Sequence, residues 1–421
     1  MLKLKNDKIF KNSLLLSAGL LLGRGVGYVR ELLIAHKYGA DSFSDNLILA
    51  LTLPELMSNI LATGLAVKII IPRLQGIEEE AIPDFLNACW MKILKLSFLG
   101  FLLFNAFSLF HFPVSVFGII ALSSLAIFPN AMSATAGAFL TFKERFLSQS
   151  TSNVVFNLVA TASIFFLDTL PFITMGFVMA SIVRFYWVWR EASKNLVSMR
   201  IFKFWGKTTG HHSLDSKAVI YSLFGGSIIL INPIINRLAA TNLNAGTVSL
   251  LSYAEKLYLL PLTIFITPYV MASFPSLSKM IGTEKKLMSV AWKRIYPAMG
   301  VSTLIAISCY FLSPFIVKYS YGFTSLAGIS LDLIEKTFIG YLPSLVFSSC
   351  SLILTNILFA AKQEKWVFIS AMFSVILNII GNGAVVYLHG SIVELAYVTS
   401  MVSFIVFCLQ IFSLIRIEKG N

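Results

Sequence analysis

Charge is scarce in this sequence. Asp, Glu, Lys and Arg together supply 13% of its 421 residues, whereas 57% are hydrophobic. An ordinary soluble domain carries about 25% charged residues. The longest polar interruption, roughly residues 190–217, is far shorter than a domain that folds alone. The composition therefore excludes a water-soluble fold, and any functional site must lie among apolar segments.

Residues typical of cofactor chemistry are also sparse. The four cysteines form no CxxC pair and lie in or beside apolar segments, which indicates free thiols packed among helices. His211 and His212 lack a third metal ligand nearby in the sequence. The Gly-Lys-Thr at 206–208 has Ile201 where a phosphate-binding loop needs its first glycine. We therefore predict no cofactor, metal site, nucleotide site or catalytic residue.

Apolar runs of about 20 residues recur from Leu14 to Leu414, and this length crosses a hydrocarbon core of about 30 Å. They predict an all-α integral membrane protein with about twelve transmembrane helices. The approximate spans are 12–36, 43–72, 84–110, 114–141, 150–168, 171–189, 218–241, 246–276, 292–316, 336–361, 366–388 and 390–415.

The net charge of +13 raises the question of a nucleic-acid partner, and the positions of the cations argue against one. The cations lie in alternate connections between the predicted spans, whereas the opposite connections hold little beyond Lys37 and Lys318. Positively charged loops face the cytoplasm. The distribution thus predicts a multi-pass protein with both termini cytoplasmic.

A weak internal repeat divides the chain. The segment 72–75 (PRLQ) is echoed 203 residues later at 275–278 (PSLS), and 154–157 (VVFN) is echoed at 375–378 (VILN). The repeat predicts two six-helix halves that have the same orientation and surround a central cavity. Parallel repeats of this kind place the substrate path between the halves. The predicted limits are 1–189 for the N-terminal half, 190–217 for a cytoplasmic linker and 218–421 for the C-terminal half.

Helix one carries charges that lipid should exclude. Arg24 lies about twelve residues, or about 18 Å, from the cytoplasmic end, too deep to reach the interface easily. Arg30 and Glu31 follow nearer the outer end. Gly19, Gly23 and Gly27 form a small-residue stripe that favours close helix packing.

The other charges lie on helices two, seven and eight. Asp45 is predicted near the outer surface, within reach of Arg30, and Glu255 and Lys256 near mid-depth. Arg237 lies near the outer end of helix seven, where it could bind a ligand or simply extend to the interface as an anchor. Cations outnumber acids, and guanidinium groups bind phosphate oxygens in a bidentate fork. This surplus favours an anionic ligand.

The motifs carry a family resemblance. The segments 23–31 (GRGVGYVRE), 38–45 (YGADSFSD), 53–56 (LPEL), 231–236 (INPIIN) and 252–257 (SYAEKL) match in order and spacing. With them the chain resembles the MurJ lipid II flippases of the multidrug/oligosaccharidyl-lipid/polysaccharide exporter superfamily, over nearly its whole length. The resemblance implies a MurJ/MATE-like fold in a bacterial inner membrane and a polyprenyl-pyrophosphate-linked glycan, lipid II first, as the substrate.

The same resemblance implies site residues. Arg24, Arg30 and Asp45 match the family's functional cavity residues, and Lys256 replaces an arginine of the family. Ser58 stands where the family usually has an arginine. Members commonly have fourteen helices, so a chain of twelve must hold the polyprenyl tail without the last two.

Three other functions stay open at this point. A flippase for another lipid-linked oligosaccharide, such as an O-antigen, capsule or exopolysaccharide unit, fits the missing arginine. A drug/cation antiporter predicts a more acidic cavity. An integral-membrane glycosyltransferase predicts a large outer loop, whereas only the connection at about 317–335 is long. Membrane lipids surround any of these proteins, and membrane potential or a coupling ion remains as the energy source.

Overall fold

The computed structural model describes residues 2–61, 70, 74, 77–143, 145–194, 231–266, 287–326, 328–361 and 363–420, with side chains of helical residues 2–18, 20, 53, 55–61, 146, 149, 329 and 364 left aside. All regular structure in these ranges is helical. The α-helices are α1 (Leu2–Tyr38), α2 (Ser42–Leu61), α3 (Ile82–His111), α4 (Val114–Ser124), α5 (Ile127–Phe142), α6 (Phe146–Phe166), α7 (Leu170–Lys194), α8 (Asn232–Ala240), α9 (Thr247–Pro261), α10 (Leu287–Tyr321), α11 (Gly328–Ala360), α12 (Glu364–Tyr387) and α13 (Ile392–Gly420).

These helices confirm the predicted fold class. Each of the twelve predicted spans overlaps a described helix, and α4 and α5 together form one span, Val114–Phe142. The spans predicted at 43–72, 218–241 and 246–276 lie only in part within the described residues. Eight described helices are long and apolar enough to cross a membrane, and the part of α6 at Ser150–Phe166 forms a shorter apolar stretch. The linker predicted at 190–217 lies outside the described residues from 195 onward.

One predicted connection is wrong. The long outer connection expected at about 317–335 is mostly helical, because α10 continues to Tyr321 and α11 begins at Gly328. Pro314 lies inside α10, yet the helix runs on past it to its end. The sequence-based boundary failed because the polar residues near 318 and 332–336 lie on helix ends rather than in a loop.

The chain divides into two compact units. Unit 1 comprises Met1–Leu33 and Asn46–Ser227, and unit 2 comprises Ile34–Asp45 and Ile228–Asn421. Each unit has its own buried apolar core: Phe85, Trp90 and Phe139 belong to the first, and Ile295 and Leu354 to the second. The turn between α1 and α2 thus belongs to unit 2. The predicted domain limits remain predictions.

The start of α2 is fixed by its own side chains. The Asp41 carboxylate accepts a hydrogen bond from the Ser44 backbone N–H at 2.9 Å, and the Asp41 N–H donates to the Ser44 hydroxyl at 2.9 Å. This reciprocal arrangement resembles a capping box, which satisfies amide groups that a helix start leaves free. It sets the direction in which α2 leaves the turn and therefore the position of Asp45.

Candidate functional site

In unit 1 the two arginines of α1 have different surroundings. Arg24 is exposed, and no carboxylate among the described residues pairs with it. Arg30 is 5% exposed. Its guanidinium donates to the Glu31 carboxylate at 3.1 Å and to the Asn157 carbonyl oxygen at 2.8 Å. Arg24 is therefore available to a ligand, whereas the charge of Arg30 is already balanced.

The glycine stripe of α1 packs directly on α6. A methyl group built on Gly23 would lie 2.9 Å from the Asn153 Cβ, and one on Gly27 would lie 3.3 Å from the Asn157 side chain. The predicted close packing is confirmed. Asn157 uses this closeness, since its amide donates to the Gly23 carbonyl at 3.0 Å while its oxygen holds Arg30.

Asn157 is a site residue that the sequence did not predict, although it lies in the repeated segment at 154–157. Its counterpart in the repeat, Asn378 on α12, donates to the backbone carbonyl of Asn232, the first residue of α8, at 3.3 Å. In both units an asparagine thus bridges to a backbone carbonyl on the partner helix. The shared contact gives the weak sequence repeat a physical basis.

In unit 2, Arg237 and Glu255 form a buried ion pair. The guanidinium donates to the Glu255 carboxylate at 2.7 Å, and the side chains are 7% and 9% exposed. The interpretation of Arg237 as an interfacial anchor is wrong, because its side chain turns inward to an acid on the neighbouring helix. Neither charge is free for an ionic ligand while the pair persists.

Asp45 caps a helix. Its carboxylate accepts hydrogen bonds from the backbone N–H groups of Gly246 at 2.7 Å and Ser249 at 2.8 Å, and from the Ser249 hydroxyl. These are the first amides of α9, which favour a negative charge. The acidic partner of Arg30 is therefore Glu31, not Asp45 as expected from the sequence.

The backbone beside Asp45 requires glycine. Gly246 has φ +87°, and a methyl group there would lie 2.5 Å from the Ala40 carbonyl oxygen. The turn is held further by Tyr253, whose hydroxyl donates to the Gly39 carbonyl at 2.9 Å. The segment at 34–45 is thus joined tightly to the start of α9.

The remaining predicted residues are less informative. Lys256 is half-buried on α9 next to Glu255 and has an interaction partner of its own. Ser58 lies on α2, but its side chain is outside the described set. In the described part of the chain, no group of three or more His, Cys, Asp or Glu side chains could hold a metal ion. The predicted site residues therefore stay predictions as ligands.

Comparison with known proteins identifies relatives. The family model described as "Lipid II flippase MurJ" matches residues 34–420. "Probable lipid II flippase MurJ" of Aquifex aeolicus (strain VF5) is 24% identical over 404 residues, covering 90% of this chain and 78% of the relative. The protein of the same description from Buchnera aphidicola subsp. Acyrthosiphon pisum (strain APS) is 23% identical over 436 residues, covering 91% and 80%.

Solved structures show the same fold. "Lipid II flippase MurJ, inward closed conformation" matches with a TM-score of 0.80 at 20% identity, covering 95% of this chain and 87% of that one. An inward-facing MATE family multidrug resistance transporter of the MOP superfamily matches with a TM-score of 0.70 at 14% identity, covering 94% and 96%. At such identities the likeness concerns the fold alone.

Proposed function

Because this chain belongs to the MurJ lipid II flippase family, whose members are membrane transporters and not enzymes, we propose that it translocates lipid II by alternating access. The substrate would be a glycan linked through pyrophosphate to a polyprenyl chain, carried from the cytoplasmic to the outer leaflet of the bacterial inner membrane. Relatives carrying the lipid II flippase description cover about nine-tenths of the chain and support this substrate over other lipid-linked glycans.

The observation that carries the proposal is Arg24. A cation in the middle of an apolar helix is costly unless it has a partner, a wet cavity or a route to the interface. Arg24 is exposed without a carboxylate partner among the described residues. A guanidinium in that position suits a pyrophosphate, which it binds through two parallel hydrogen bonds. Arg30 and Lys256 remain further candidate ligands. Within unit 2, Asp45 holds the start of α9 and the Arg237–Glu255 pair joins α8 to α9.

The proposed transport is tested by complementation. In a bacterium depleted of its own lipid II flippase, expression of this chain should restore growth and the appearance of lipid II in the outer leaflet. An inserted protein that fails at both, yet restores export of a different polyprenyl-linked polysaccharide, would overturn lipid II as the substrate. Since the chain holds no predicted nucleotide site, transport should persist without ATP and depend on membrane potential or a coupling ion.

The proposed orientation predicts a labelling pattern. In a cysteine-free background, Trp205→Cys should react only with reagents that reach the cytoplasm, and Ser325→Cys only with impermeant reagents added outside. The reason is the excess of Lys and Arg in the connections on the side of residue 205. Labelling in the opposite sense would reverse the proposed topology and place both termini outside.

A further inference from the structure

Unit 2 contains a cavity that the proposed pyrophosphate site does not use. It has a volume of about 310 Å³ and is bordered by α8, α9, α11, α12 and α13. Pockets for small organic ligands span about 300–1,000 Å³, so this one is large enough for a single ring but not for an extended chain.

Apart from the Glu255 carboxylate, the polar lining of the cavity consists of hydroxyl and carboxamide groups. Ser344 and Ser348 on α11 contact the Ser403 hydroxyl on α13 at 2.9 and 3.3 Å. Asn236 on α8 donates to the Thr399 hydroxyl at 2.9 Å. Ser348, Thr399 and Ser403 are half-buried, so a ligand can reach them. Such groups both donate and accept hydrogen bonds, as the hydroxyl groups of a sugar do.

The helices around this cavity are irregular. After Pro261, α9 passes into a π-helical turn at Leu262–Ile266, and Leu262 lines the cavity. At Pro343 in α11, the Ser400 hydroxyl is inserted into the helix, accepting from the Ser344 N–H at 3.1 Å and donating to the Gly340 carbonyl at 2.6 Å. In membrane transporters, interrupted helices border substrate sites, and π-turns often mark functional ones.

The charge of the cavity and the side chains that line it restrict which ligand can bind. Glu255 lines the cavity, but its charge is neutralised by Arg237 at 2.7 Å, so a phosphate would meet no net positive charge. Tyr258 and Tyr341 stack at 5.0 Å in the wall, and Leu262 and Val402 add apolar surface. This mixture of apolar faces and hydroxyl groups fits a sugar ring, whose C–H faces are apolar and whose edges are polar.

Two buried polar atoms support a ligand role. Among the described residues, the side-chain amide oxygen of Asn232 and the Ser351 hydroxyl have no hydrogen-bond partner, and both residues border the cavity. An unsatisfied buried polar atom costs about 1–3 kcal/mol, so a ligand that forms hydrogen bonds with these two atoms would be favoured in the cavity. From these observations together, we propose that the cavity of unit 2 binds one uncharged sugar ring of the lipid-linked glycan.

The inference rests on the proposed function, and its test separates the two. The purified full chain in nanodiscs is titrated with three probes: lipid II, the same polyprenyl pyrophosphate without sugars, and the free disaccharide. Ser348→Leu and Ser403→Leu fill the cavity. Ser308→Leu serves as the matched control, because Ser308 is exposed on α10 beside other exposed apolar side chains, away from the cavity.

The cavity variants should bind lipid II about tenfold more weakly, as expected from losing one or two hydrogen bonds. Their affinity for sugar-free polyprenyl pyrophosphate should stay unchanged, as should that of Ser308→Leu for every probe. Equal lipid II affinity in wild type and both cavity variants would overturn the sugar site while leaving the flippase proposal intact. Failure of the wild type to bind either lipid would instead overturn the flippase. A third outcome would also overturn the inference. If the wild type binds the free disaccharide, the cavity variants do not, and the affinity for lipid II is the same in all of them, then the cavity is a site for a soluble sugar.

A variant that fails to fold is recognised by gel filtration. For that case Ser348→Ala, which removes one oxygen without adding bulk, should weaken lipid II binding by a smaller factor in the same direction. An affinity for lipid II unaltered by Ser348→Ala and by Ser403→Ala would contradict the proposal.

Discussion

Replacing Arg24 by Ala should abolish lipid II transport while leaving the protein folded and inserted. Arg24 is exposed and pairs with no described carboxylate, so its loss breaks no ion pair among the described residues. In a pyrophosphate complex its fork would supply two charge-assisted hydrogen bonds. Their loss corresponds to about 3 kcal/mol or more, or at least about a hundredfold in affinity.

The measurement is growth rescue and lipid II translocation in the flippase-depleted strain, with membrane content quantified by immunoblot. Arg24→Lys should retain part of the activity, because a lysine keeps the charge but lacks the planar fork. Arg190→Ala is the matched control, since Arg190 is an exposed arginine near the C-terminal end of α7. Undiminished transport by Arg24→Ala would show that Arg24 only anchors or packs α1.

The sequence predicted the helices well because a bilayer imposes a simple physical rule. A backbone crossing hydrocarbon must satisfy its own hydrogen bonds, so a long apolar run is necessarily a helix there. The glycine stripe of α1 was equally predictable, since small residues spaced by four lie on one helix face. The ends of helices were less predictable, as α10 and α11 show. Charged residues occur both in loops and in the last turns of helices, so they do not mark a helix end.

The sequence could not predict which groups pair with the buried charged side chains. Asp45 was expected beside a guanidinium, yet its oxygens cap α9, more than 200 residues away along the chain. Backbone amides leave no residue-type signal in a sequence, so a capping carboxylate at long range looks like any other acid. Arg237 was misjudged for a related reason: depth alone favoured the interface, whereas Glu255 on the next helix draws it inward.

The buried pair of Arg237 and Glu255 yields the largest expected effect on stability. Arg237→Met should lower the free energy of unfolding by about 3–5 kcal/mol, because it leaves the Glu255 carboxylate buried without its cation. The double variant Arg237→Met/Glu255→Met should recover much of that loss, since it removes both charges and keeps the volume apolar. Thermal and denaturant unfolding in detergent measure both values, and a double-mutant cycle gives the coupling.

The exposed pair of Lys336 and Asp332 provides the control, with its nitrogen and oxygen 2.8 Å apart and its side chains 61% and 59% exposed. Lys336→Met should change stability by less than about 1 kcal/mol, as exposed pairs usually do. If Arg237→Met lowers the free energy of unfolding no more than Lys336→Met does, the buried pair of Arg237 and Glu255 does not stabilise unit 2. If the double variant is stable but loses discrimination against sugar-free polyprenyl pyrophosphate, then the pair is needed at the cavity for specificity and not only for packing.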